Sequence, residues 1–191
     1  MKNTIARIAE QIANAVDRMN AAIGRAAAWC CLYIVVAEFA VVALRYVFGL
    51  GSIRLQESLL YANAALFMLA AAWTLQVDGH VRVDVFYAPA KPRTRAVIDL
   101  LGAIVFLGPF AVVLAMLSVP YVARSFAILE RSREASGLPF VYLFKTLIPL
   151  FALLIGLQGV AQAIRALLVL AAPNPHPTLP PLAGEGRVGA H

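Results

Sequence analysis

Four long apolar stretches limit what this chain can fold into more than any other feature. They run roughly over residues 26–48, 57–77, 97–122 and 140–170. A helix that crosses the hydrocarbon core of a bilayer needs about 20 residues. Inside that core every backbone amide must find its partner within the protein, which excludes open strands and lipid-exposed loops. Four such runs in series therefore predict an all-α membrane protein with four transmembrane helices. Composition agrees, with 62% hydrophobic and 14% charged residues, where a soluble domain carries roughly half and a quarter.

The charges gather between the apolar runs. The net charge of +6 could point to nucleic acid, but the basic residues flank the spans and form no separate basic domain. Membrane lipid and topology selection account for them, and no nucleic-acid partner is implied. Lys2, Arg7, Arg18 and Arg25 precede the first span. Arg82, Lys91, Arg93 and Arg95 lie between the second and third, and Arg165 lies near the end of the fourth. The opposite side holds Arg54, Arg124, Arg131 and Arg133. Basic residues favour the cytoplasmic side, so both termini are expected in the cytoplasm.

Ahead of the first span, Ile5, Ile8, Ile12, Val16, Met19 and Ile23 recur at steps of three and four. This spacing draws one apolar stripe on a helix, with Arg7, Glu10, Gln11, Asn14, Asp17 and Arg18 around it. The pattern predicts an amphipathic helix at 1–25 that lies in the membrane interface or packs on a partner. A secretory signal peptide fits poorly, because the small residues of "RAAAW" precede the apolar run instead of following it. The four-helix membrane domain then covers 26–170. The remainder, 171–191, is rich in proline and glycine, keeps no apolar period and is expected to be disordered.

Ionisable residues inside membrane spans are costly and mark candidate sites. Glu38 and Arg45 lie in the first span, Glu57 opens the second and Lys145 lies in the first third of the fourth. Glu38 and Arg45 are seven residues apart, so they share a helix face but stand about 10 Å apart along the axis and do not pair. Arg45, Glu57 and Lys145 all fall near the same ends of their spans, where a charge cluster can form. The bland reading is that these charges hold the bundle together or reach the interface. The sharper one gives Glu38 or Glu57 a role in proton coupling. Cys30 and Cys31 are adjacent, point different ways on a helix and read as small apolar residues.

The segment "QVDGHVRVDVFY" at 76–87 alternates like a strand, yet His80 and Asp84 also share a helix face. Two ligands are too few for a metal site. His80 is the only histidine outside the tail, which excludes bis-histidine haem within this chain, and no cofactor is expected. A lone strand would leave backbone groups unpaired at the membrane surface. The expectation is a helix surfacing at His80, followed by a short interfacial segment between the second and third spans.

Several short motifs, in order along the four spans, carry a resemblance. They are "RYVFG" at 45–49, "QES" at 56–58, "DGHVRVDVFY" at 78–87, "RTRAVIDLLG" at 93–102, "ARSFAI" at 123–128, "SGLP" at 136–139 and "KTLIP" to "LQG" between 145 and 159. Together they resemble the small permease subunit of tripartite ATP-independent periplasmic (TRAP) transporters, over roughly residues 25–170. The look is nearest to members grouped under mannitol, chloroaromatic or other organic-acid uptake. The resemblance implies a four-helix subunit of the bacterial inner membrane with no enzymatic activity. It also implies two partners, a large sodium-coupled elevator-type permease subunit and a periplasmic substrate-binding protein. The motif positions carried over are Arg45, Glu57, His80, Asp84 and the turn Gly137-Leu138-Pro139. Gln56 departs from the pattern, because many relatives have a second acidic residue there. The alternative from another class is a small proton-coupled multidrug antiporter using Glu38, although such proteins are much shorter and lack substantial loops. A membrane anchor of a respiratory enzyme fails for want of histidine pairs.

Overall fold

The computed structural model describes residues 2–80 and 87–172. Among these the regular structure is all helical: α1 (Lys2–Val47), α2 (Ile53–Gln76), α3 (Pro92–Ala127) and α4 (Val141–Ala171). All four are long and apolar enough to cross a membrane. They alternate in direction, so both ends of the described chain lie at one end of the bundle.

Local chemistry sets the helix ends. α1 stops at "VFG": Gly49 takes φ +66 and Leu50 N–H returns to Leu44 O at 2.9 Å, closing the last turn. Ser52 then caps α2 by accepting from Leu55 N–H at 3.3 Å. α2 ends at "DG", where Asp78 adopts φ 54 and Gly79 N–H reaches Thr74 O at 2.8 Å. A short polar residue tolerates that left-handed conformation, so the helix surfaces as the polarity change predicts. In α3 a π-helical stretch, Gly102–Leu107, precedes Pro109, and Gly108 N–H bonds back to Ala103 O. Proline lacks an amide hydrogen and crowds the preceding turn, and a wider turn accommodates it.

α1 is one unbroken helix of 46 residues, about 69 Å at 1.5 Å per residue. Nothing in "AAIGRAAAWCC" stops it, since alanine is the strongest helix former and a single glycine costs only about 1 kcal/mol. The leader and the first span are therefore continuous. Of the interfacial segment expected from His80 to Pro92, residues 81–86 lie outside the described residues, as do residues 173–191 of the tail expected at 171–191.

Packing places α4 at the centre, against α1, α2 and α3. α1 also lies along α2, while α3 packs chiefly on α4. The interior is built from small and polar side chains: Ala13, Asn20, Ala27 and Ala37 on α1, Ala72 on α2, Ala111 and Ser118 on α3, and Ala152, Gln158 and Ala161 on α4. Two glycines allow close approach. A Cβ at Gly24 would lie 2.6 Å from Trp73 Cβ, and one at Gly159 would lie 2.7 Å from Leu107. Many large apolar residues point outward, as with Trp29, Phe39, Phe67, Phe106 and Met116, while Leu154 and Ile155 on α4 are buried. Lipid is as apolar as leucine, so burying large side chains gains little here, and packing of small ones decides which faces meet.

Candidate functional site

Polar side chains converge at both ends of the bundle. At the end remote from the termini, the connection between α3 and α4 is held by two acids. Glu57, in the first turns of α2, accepts from the Ser132 hydroxyl on one oxygen and from Leu138 N–H at 2.6 Å on the other. Arg54, one turn earlier, donates to Ser136 O at 3.2 Å. Within the connection, Ser132 N–H bonds to Leu138 O at 3.2 Å and Gly137 N–H to Glu134 O at 3.0 Å. Gly137 is required by space. A Cβ there would collide with the Ser132 side chain and lie 2.7 Å from Glu57 Oε1. Pro139 is half-buried just before α4 begins.

The second acid is Glu130. Lys145 on α4 donates to it at 2.5 Å and Ser125 at the end of α3 donates at 2.6 Å. Lys145 also stands 4.2 Å from the centre of the Tyr121 ring, within cation–π range. The Lys145 ammonium and the Ser125 hydroxyl both hydrogen-bond the Glu130 carboxylate and hold its pKa below the ordinary value. Leu129, in a left-handed conformation at φ 45, turns the chain so that Glu130 N–H meets Ser125 O at 3.0 Å. A bulky residue adopts that conformation only where its surroundings hold it.

At the end carrying the termini, polar groups join helix to helix. Asn20 Nδ2 donates to Gln158 Oε1 at 2.7 Å, and both residues are almost fully buried. Gln158 Nε2 donates in turn to Asp17 Oδ1 at 3.0 Å, and Asp17 forms a salt bridge with Arg165. Gln162 Nε2 reaches Leu75 O at 3.3 Å, tying α4 to the end of α2. These contacts set the depth at which α1 and α2 meet α4.

Among the described residues, the candidates named from sequence fall in five places. Glu57 and Gly137 come together and Pro139 sits beside them. Lys145 joins a different acid, so the three-way cluster of Arg45, Glu57 and Lys145 does not form. Arg45 is exposed on the last turn of α1, beside a small crevice with Leu50, Ser52 and Gln56. Glu38 is exposed on α1 and faces away from the helix junctions. His80 is exposed in the bend after α2, and Asp84 lies outside the described residues. Sequence reasoning missed Ser132, Asn20 and Gln158 as contact residues. An amide inside an apolar run is itself a signal, since it needs a partner on another helix. Ser132 carried no such signal. Among the described residues no group of three metal-ligating side chains occurs.

The geometry defines a class: a four-helix, multi-pass membrane protein whose polar residues tie its own helices and one connecting loop together. The family described as "Tripartite ATP-independent periplasmic transporters, DctQ component" matches residues 17–169, and the chain belongs to that family. It is thus a small-permease component of the TRAP transporter type. No curated protein and no solved structure matches the chain.

Proposed function

We propose that this chain is a static scaffold for a large elevator-type permease subunit in sodium-coupled uptake of an organic acid or related small solute. A periplasmic binding protein delivers the solute, and the small subunit itself catalyses nothing. It resides in the bacterial inner membrane with both termini in the cytoplasm, in keeping with the basic residues at that end. The family match over residues 17–169 carries the reading.

The physics of the bundle supports it. The large apolar side chains on α1, α2 and α3 face outward, where a second membrane protein or lipid can meet them. α1 is long and unbroken, which broadens the anchored body against which a neighbouring domain slides. Glu57, Gly137 and Pro139 act by shaping the loop before α4, and Arg45 and His80 act at the helix ends. Among the described residues nothing in the geometry favours the antiporter, because Glu38 is exposed on α1.

The test is affinity purification of the full chain from gently solubilised source membranes, with mass spectrometry of what accompanies it. A stoichiometric large multispan permease is the expected companion. Recovery as a self-associated small oligomer alone would overturn the scaffold reading. Deleting residues 1–20 is expected to weaken assembly or transport while the permease keeps its own substrate site.

A further inference from the structure

One packing seam on α1 is covered toward the termini and open toward the other end of the bundle. Asn20, Gly24 and Ala27 follow at steps of four and three, and all three are buried. The Asn20 amide bonds to Gln158 on α4, and Gly24 abuts Trp73 on α2. Beyond Ala27, Cys31, Val35, Glu38, Val42 and Arg45 continue the same spacing, and every one of them is exposed. Steps of three and four keep side chains on one side of a helix. The side that meets the bundle as far as Ala27 is therefore left open from Cys31 to Arg45, about 21 Å at 1.5 Å per residue.

Glu38 makes this opening chemically specific. It sits about 14 Å short of the end of α1, at 1.5 Å per residue, and Ile34 to Ala37 before it and Phe39 to Leu44 after it are all apolar. Among the described residues no cation or hydrogen-bond donor pairs with its carboxylate. Helical side chains lean toward the helix N-terminus. The carboxylate thus leans away from the nearer end of the span, the reverse of snorkelling. Lipid offers it no donor, and an acid inside a span pairs with another group or faces water.

A second copy of this chain does not meet that need. A two-fold pair brings the same patch of both subunits together, so copies inserted in the same sense would set Glu38 against Glu38. Like charges repel strongly where the dielectric is low. The seam calls for a different chain, one that brings a cation.

We propose, on the premise of the scaffold reading, that the seam from Cys31 to Arg45 packs against a transmembrane helix of the large permease subunit that presents a lysine or arginine to Glu38. A run of side chains at steps of three and four is the shape into which a partner helix fits. The Glu38 carboxylate supplies the complementary charge that fixes its register.

The experiment purifies the full chain from gently solubilised source membranes, with each variant replacing the native copy, and quantifies the accompanying permease by mass spectrometry. Wild type should bring down the permease in stoichiometric amount. Glu38→Lys should lower its recovery about tenfold or more, because repulsion replaces an attractive pair, while the chain itself keeps the wild-type Tm in detergent. Val42→Trp blocks the seam by bulk, keeps the span apolar and should lower recovery likewise, even where Glu38→Lys fails to insert. A photoreactive phenylalanine analogue in place of Val42 should cross-link to the permease. Unchanged recovery with both variants, when wild type does bring the permease, overturns this contact and leaves the scaffold reading standing. Cross-linking from position 42 to a second copy of this chain instead of the permease also overturns it. A wild type that brings no permease overturns both.

Discussion

Asn20, Asp17, Gln158 and Arg165, at the end with both termini, join residues 138 to 148 positions apart in the chain. At the other end Glu57 and Glu130 hold a short connection, with partners at separations from 5 to 81. The chemistry is alike, an acid or amide satisfied by hydroxyl, amide or cation. The work differs. In the first set Asn20 and Gln158 are buried between helices and, with the half-buried Asp17 and Arg165, set how they stack, while the second shapes a surface loop. In lipid the first kind decides global stability, because a stripped polar group there has no water to turn to.

The largest expected effect is Gln158→Leu, which removes the partner of both Asn20 and Asp17. It should cost about 2 kcal/mol and lower the Tm of the whole chain in detergent. Gly137→Val comes next, at about 1–2 kcal/mol of overpacking, because its side chain would drive Ser132 and Glu57 apart. Limited proteolysis should then cut within 128–140 while the helices stay intact. If Gly137→Val lowered the global Tm as far as Gln158→Leu, the contrast between the ends would fail.

A pH titration sharpens the contrast further. The folded pKa of Glu130 is held below its ordinary 4.5. Its contribution is therefore present in full above the unfolded value and is lost as pH falls through the folded one. Loop protection, followed by proteolysis, should hold from neutrality down to about pH 5 and weaken below 4.5. Glu130→Gln should reduce that dependence. The smallest effect belongs to Glu38→Gln, which touches neither end and should shift stability by less than about 0.5 kcal/mol.

Much of the fold was legible in the chain. The apolar runs, "VFG" after the first and "DG" after the second mark helices and their stops through local backbone chemistry. The resemblance in short motifs reached the family before any coordinates, and it drew Glu57, Gly137 and Pro139 into one list. Their meeting was not legible. Glu57 finds Ser132 and Leu138 across 75 and 81 residues, and no periodicity encodes that. The amphipathic pattern of residues 5–23 shows which face of α1 is apolar and not where the helix ends, so its unbroken run into the first span was not legible.

The sequence by itself determined that this is a four-span helical membrane protein, since length and hydropathy leave a chain in lipid no other way to satisfy its backbone. It also determined the family. The tertiary structure alone decided that α1 runs unbroken, that α4 sits at the centre, that Lys145 pairs with Glu130, and that the seam of α1 lies open around Glu38. Those outcomes depend on small residues meeting small residues and polar groups finding distant partners. Such contacts are settled by the packed bundle as a whole, because lipid gives large apolar faces little preference for one neighbour over another.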